Sequence, residues 1–167
     1  VIMAENKTIY GNITAIRTSL LERMKEFADN TYSPGSFIPK EILTMMTDAT
    51  CETNKEIAVF LDRKNRVIAI AIGNDKSVPL PELEGRKSSL RLSGIRCLHT
   101  HPNGTVRPSN VDLQSLKTMR YDAMVVIGID PEKKRSCGAS VTLLARDKNG
   151  VLNRTETIGP VSTARIV

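Results

Sequence analysis

The sequence predicts an α/β or α+β domain built on a mixed sheet. Three observations carry this. Apolar residues recur at helical spacing before residue 54 and between residues 109 and 119. From residue 56 onward the period shortens, and runs such as Val67–Ile72 and Ala123–Ile129 are apolar at every position, as strands covered on both faces require. Helical segments precede and interrupt these strands, the layered arrangement that buries both kinds of element at once.

The elements follow in order. Residues Asn12 to Asn30 read as an amphipathic helix, with Ile13, Ile16, Leu20, Met24 and Phe27 at spacings of three and four and Asn12 as the cap. "TYSPGSFIP" is a loop broken by Pro34, Gly35 and Pro39. A second helix spans Pro39 to Thr53, its apolar face formed by Ile42, Met45, Met46 and Ala49. "EIAVFLDRKNRVIAIAIGND" reads as two strands joined by a turn at residues 62–65. Ser77 to Gly94 has no period and reads as a long loop. Ile95–His99 is a short strand, Ser109–Met119 a helix and Ala123–Ile129 a buried strand. "SVTLLAR" and "VLNRTETI" close the chain as a hairpin about residues 147–150.

Composition narrows the function classes. The chain has 167 residues, one domain's worth, with 40% hydrophobic and 25% charged residues. Aromatics are 4% and Trp is absent, so the core is aliphatic and base-stacking nucleic-acid readers are disfavoured. Three dispersed cysteines, Cys51, Cys97 and Cys137, read as reduced thiols, and no apolar run is long enough to span a membrane. A cytoplasmic protein without a membrane partner is expected. The net charge is +6, and it is unevenly placed: residues 1–54 carry 5 Lys and Arg against 7 Asp and Glu. A basic stretch includes Arg86, Lys87, Arg91, Arg96 and Arg107. It reads either as a solvated loop face or as a rim attracting an anion such as RNA.

Both histidines of the chain stand in "RCLHTHPNGTVRPSNVDL". On a strand, residues i and i+2 share a face, so His99 and His101 can present two imidazoles to one point. Ser109 and Asp112 open the next helix, and a chain that turns back after His101 can bring Asp112 to the imidazoles. Two imidazoles and a carboxylate suit Zn²⁺, and three protein ligands leave a fourth position for water. A water so bound becomes acidic enough to act at neutral pH. Glu56, a carboxylate opening an otherwise apolar strand, is the candidate base that takes the proton and returns it to the leaving group. Ser109 is placed to hydrogen-bond a developing oxyanion. Plainer readings coexist with these. The histidines can be surface residues at a strand end, Ser109 and Asp112 satisfy a capping box without any metal, and Glu56 can face solvent at a sheet edge. Cys97 shares the face of His99 and reads as a small buried hydrophobe or a supplementary ligand.

The spacing His99-x-His101, seven residues, Ser109, two residues, Asp112, with Glu56 upstream, resembles the full JAMM metalloprotease signature. The wording His-x-His-Pro-x-Gly followed by Pro-Ser-x-x-Asp is similar to the RadC branch of that superfamily. Over nearly the whole chain, "YGNITAIRTSLLERM", "NKEIAVFLDRKNRVIAIAIGN", "LPELEGRKSSLRLSGIRCLHTHPNG" and "YDAMVVIGI" resemble the N-terminal extension of some bacterial HflX-type GTPases. The resemblance implies a three-layer α-β-α fold with a mixed sheet, the architecture shared with cytidine deaminases. Residues 1–54 would be a helical segment packing on a JAMM-like core at 55–160, the two forming one compact domain. His99, His101 and Asp112 would hold zinc, with Glu56 and Ser109 catalytic in hydrolysis of a peptide or isopeptide bond. It also implies a leading domain of a larger ribosome-associated protein, with a GTPase domain downstream. No GxxxxGK[ST] loop occurs in this chain, so no GTP site is expected in it. The alternative is a non-catalytic ribosome- or RNA-binding module, or a regulator of that GTPase.

Overall fold

A computed structural model describes residues 8–75, 77, 78 and 90–167. Their elements are β1 (Ile9–Gly11), α1 (Thr18–Phe27), α2 (Lys40–Thr53), β2 (Ile57–Asp62), β3 (Val67–Ile72), β4 (Ile95–His101), α3 (Asn110–Met119), β5 (Ala123–Asp130), β6 (Arg135–Arg146) and β7 (Leu152–Val161). The strands form one mixed sheet in the order β1-β3-β2-β4-β5-β6-β7. β1 is parallel to β3 and β4 to β5, and the other neighbours are antiparallel. The described residues therefore make an α/β fold with a seven-stranded mixed sheet and three α-helices.

Strand alternation divides the core. Ile57, Val59 and Leu61 of β2 and Val125 and Ile127 of β5 share a cluster with Leu20 and Met24 of α1 and Ile42, Met45 and Met46 of α2. The intervening Ala58, Phe60, Cys97 and Met124 join Leu116 of α3 and Tyr121 in a second cluster. Ile9 and the buried faces of α1 and α2 thus share one apolar cluster with the sheet. Burying these side chains contributes roughly 1.5–3 kcal/mol each for the larger aliphatics.

Parallel neighbours cannot be joined by a tight turn, so the β4-to-β5 connection needs a crossover, and α3 supplies it. The crossover places the first turn of α3 just beyond the carboxyl end of β4, where open α/β sheets commonly bind ligands.

Several elements differ from the sequence reading. The first helix begins at Thr18 rather than Asn12. Ala15 adopts a left-handed φ of 62°, and the Asn12 side chain accepts a hydrogen bond from the Thr14 amide at 3.0 Å, so the segment before Thr18 turns instead of coiling. Ile13 and Ile16 still pack against the core from outside the helix. Ile9–Gly11 forms an edge strand that the sequence reading did not anticipate. β4 runs on to His101, and β6 and β7 are longer than the predicted hairpin arms. The turn after β2 forms as expected, with Asp62 Oδ1 accepting from the amides of Lys64 at 2.8 Å and Arg66 at 2.9 Å. Most of the predicted loop at 77–94 lies outside the described residues. Among the described residues, no helix is long and apolar enough to cross a membrane.

Candidate metal centre

The centre begins with period two on β4. His99 and His101 project to the side of the second cluster, and both are buried, at 1% and 7% exposure, which removes the surface-histidine reading. Their Nε2 atoms stand 3.2 Å apart. Thr100, between them, points to the opposite face. Its Oγ1 lies 2.6 Å from Thr50 Oγ1 on α2 and accepts from the Ile57 amide at 3.0 Å. One buried hydroxyl therefore ties β4 to α2 and to the start of β2, directly behind the two rings.

Asp112 arrives on the first turn of α3. Ser109 is the N-cap, and the capping box is complete. Ser109 Oγ accepts from the Asp112 amide at 3.1 Å, and Asp112 Oδ2 accepts from the Ser109 amide at 2.8 Å. The same carboxylate places Oδ1 3.1 Å from His99 Nε2 and Oδ2 3.3 Å from His101 Nε2. The capping reading and the ligand reading are thus not rivals. The cap holds the carboxylate so that it faces the imidazoles.

These spacings permit a test of fit. Tetrahedral zinc with bonds of about 2.0–2.1 Å needs donor atoms about 3.3 Å apart. The two Nε2 atoms, 3.2 Å apart, meet that spacing, and each faces a different oxygen of the Asp112 carboxylate, at 3.1 and 3.3 Å. Two imidazoles and one carboxylate are also a donor set that zinc accepts. His99, His101 and Asp112 form a group able to hold a metal ion.

The loop after β4 fixes one ring. His101 Nδ1 lies 3.1 Å from the Thr105 carbonyl, an arrangement in which Nδ1–H donates and the Nε2 lone pair faces the centre. Gly128 makes room for this loop. A Cβ there would sit 2.5 Å from the Gly104 carbonyl oxygen and 2.7 Å from Val106 Cγ1. His99 Nδ1 is buried without a hydrogen-bond partner among the described residues.

Glu56 stands one residue before β2 and is 6% exposed, so the solvent-facing reading does not hold. Its amide donates to the Asn74 carbonyl at 2.7 Å, and its carbonyl accepts from the Gly73 amide at 2.9 Å. Ala58 pairs with His99 in the antiparallel β2–β4 ladder. Two residues back on one strand oppose two forward on the other, which sets Glu56 beside His101. The Oε1-to-Nε2 distance is 3.8 Å. Burial raises the Glu56 pKa, while His99 and His101 oppose the rise. Asp112 moves the other way. Burial alone would raise it, but the hydrogen bonds with His101 and His99 outweigh that and hold it well below the usual carboxylate range. Burial disfavours charge on His101, yet the hydrogen bond with Asp112 and the charge of Glu56 prevail and raise its pKa. Two carboxylates pushed apart in one site suit two roles: a proton carrier in Glu56 and a permanent anion in Asp112.

Two clefts meet here. One of about 220 Å³ is bordered by Glu56, His99, Ser109 and Asp112, with Cys97 and Met124 in its wall. The other, about 290 Å³, is bordered by Glu56, His101 and Ser109, with Asp75, Asn103 and Arg107. Cys97 is buried, and burial pushes its thiol pKa up, which keeps it a neutral wall residue rather than a thiolate ligand. Arg96 is engaged inside the fold. It donates to the Phe37 and Asp62 carbonyls and to Asn65 Oδ1, and lies 5.4 Å from the Phe37 ring centroid. That leaves Arg91 and Arg107 of the basic stretch exposed, while Arg86 and Lys87 lie outside the described residues. The sequence reading missed Thr100 and the Thr105 carbonyl. The only signal for Thr100 was a hydroxyl between two inward-facing histidines.

Fold and site together define an α/β protein with a buried His-His-Asp group able to hold a metal ion. No protein-family model, curated protein or solved structure matches the chain.

Proposed function

We propose that the chain is a zinc-dependent hydrolase domain of the JAMM type, cleaving a peptide or isopeptide bond. The observation that carries this is the convergence of two Nε2 atoms, 3.2 Å apart, on the Asp112 carboxylate, whose two oxygens lie 3.1 and 3.3 Å from them, with a second carboxylate, Glu56, 3.8 Å from His101. The two core clusters, one with α1 and α2 and the other with α3, support a three-layer α-β-α reading of the fold. The sequence resemblance supports a leading domain of a cytoplasmic HflX-type GTPase, whose downstream domain would bind GTP.

His99, His101 and Asp112 would hold the ion, and an ion so held supplies Lewis-acid chemistry that acidifies water to a pKa of about 7. The protein's own groups do the rest. Glu56, buried and raised in pKa, takes a proton from the attacking water and hands it to the leaving amine. Ser109 already accepts from the Asp112 amide, which leaves its O–H free to donate to the developing oxyanion. Asp112 stays ionised and holds the imidazoles in place. Exposed Arg91 and Arg107 support the second reading, a ribosome- or RNA-binding module that regulates a GTPase.

Elemental analysis after zinc incubation, alongside peptide hydrolysis by wild type and Glu56→Gln, tests the proposal. One zinc per chain in both proteins, with hydrolysis in the wild type alone, is the expected result. Failure to take up zinc removes the enzyme reading. Zinc uptake without hydrolysis, combined with ribosome binding that Arg107→Glu abolishes, favours the module.

A further inference from the structure

The two clefts differ in chemistry. The polar one carries Asp75, Asn103 and Arg107. The other is walled by Val78, Cys97, Val111 and Met124, and its lining is chiefly apolar. Cys97 and Met124 belong to the core cluster under α3, so this wall is rigid. Val111, 71% exposed, stands at the rim on the turn that also holds Ser109 and Asp112. Gly73 shapes the far side. A Cβ at Gly73 would collide with the Ser77 backbone, so only glycine lets Ser77 and Val78 fold over the start of β2.

We infer that this cleft is a specificity pocket for one compact apolar side chain, carried by the substrate residue that contributes the scissile carbonyl. The inference rests on the hydrolase reading and deepens it. Ser109 and Val111 both line this cleft, so a carbonyl oxygen held by Ser109 brings the substituents of its carbon into the space that Val111 borders. The volume of about 220 Å³ suits one such side chain, since a dry cavity of about 150 Å³ holds benzene. The leaving amine then departs toward the polar cleft, past Glu56. In the step itself a C–O bond forms from water and the C–N bond breaks. One water proton passes through Glu56 to the amine, and no other reactant is needed.

The test uses the zinc-incubated protein and three probes: the hydroxamates of N-acetyl-glycine, N-acetyl-leucine and N-acetyl-aspartate. Binding is read by calorimetry, independent of turnover. The leucine probe should bind about tenfold or more tighter than the glycine probe, and the aspartate probe no tighter than glycine. Ser115→Leu, which narrows the cleft from the exposed side of α3, should erase the leucine advantage while zinc content and glycine-probe affinity stay unchanged. Val111→Asp should reduce that advantage from the rim. Equal binding of all three probes to a zinc-loaded protein overturns the pocket and leaves the metal centre standing. Loss of all probe binding with no zinc taken up overturns both.

Discussion

Asp112→Asn separates the metal-free site from the loaded one, because pH moves the two in opposite directions. In the metal-free protein the Asp112 pKa is depressed, so its contribution to stability is present above the ordinary carboxylate value and lost as pH falls through the folded value. The His101 pKa is raised, so its contribution is full below the ordinary imidazole value and lost as pH rises through the folded one. The two describe one shared interaction, present in full between about pH 4 and pH 6.5. Asn keeps the acceptor for the Ser109 amide but loses the charge that faces the imidazoles at 3.1 and 3.3 Å. A charge-assisted hydrogen bond exceeds a neutral one by about 1 kcal/mol, so two such losses cost about 2 kcal/mol. Urea unfolding with a chelator present should show that loss at pH 5 and a smaller one at pH 8. Zinc reverses the trend, because its ligands must shed protons. At a fixed zinc concentration about a hundredfold above the dissociation constant at pH 8, zinc should stabilise the wild type by about 2.7 kcal/mol at pH 8 and by less at pH 5. Asp112→Asn should lose most of that gain. A variant that zinc stabilises as much as the wild type at pH 8 would refute the assignment of Asp112 as a ligand.

Other substitutions probe the surroundings. Glu56→Gln should keep zinc at one per chain and lower hydrolysis by about 10²–10⁴-fold, whereas loss of zinc by elemental analysis would make Glu56 a ligand instead. Thr100→Val removes the hydroxyl shared by Thr50 and the Ile57 amide, and should cost about 1–3 kcal/mol in urea unfolding and weaken zinc about tenfold, with Thr100→Ser restoring both. Gly128→Ala forces the loop at 102–108 off the sheet, and should destabilise by about 1–3 kcal/mol and loosen zinc. An unchanged affinity would show that the Thr105 carbonyl does not set the His101 ring. Tyr121→Phe should be neutral or stabilising, because the Tyr121 hydroxyl is buried without a partner among the described residues, and a measured loss above about 1 kcal/mol would reveal one.

Local rules made much of the centre legible. The two-residue period of a strand puts His99 and His101 on one side without reference to anything else in the chain, and the capping box between Ser109 and Asp112 is confined to four residues. The apolar runs at 67–72 and 123–129 likewise announce strands buried on both faces. Helix starts were less legible. Asn12 is a good cap by type, yet β1 pairs with β3 and draws the chain into the sheet, so coiling waits until Thr18.

The sequence by itself determined the donor set, the helix that carries Asp112 and the strands that make the sheet, because each depends on neighbours within a few residues. Only the tertiary structure decided that Glu56 stands beside His101, that Thr100 braces the rings from behind and that Arg96 is withdrawn into the fold. Each of these depends on which strands and loops pair and in what register, and such long-range pairing is set by burial summed over the whole core rather than by any short segment.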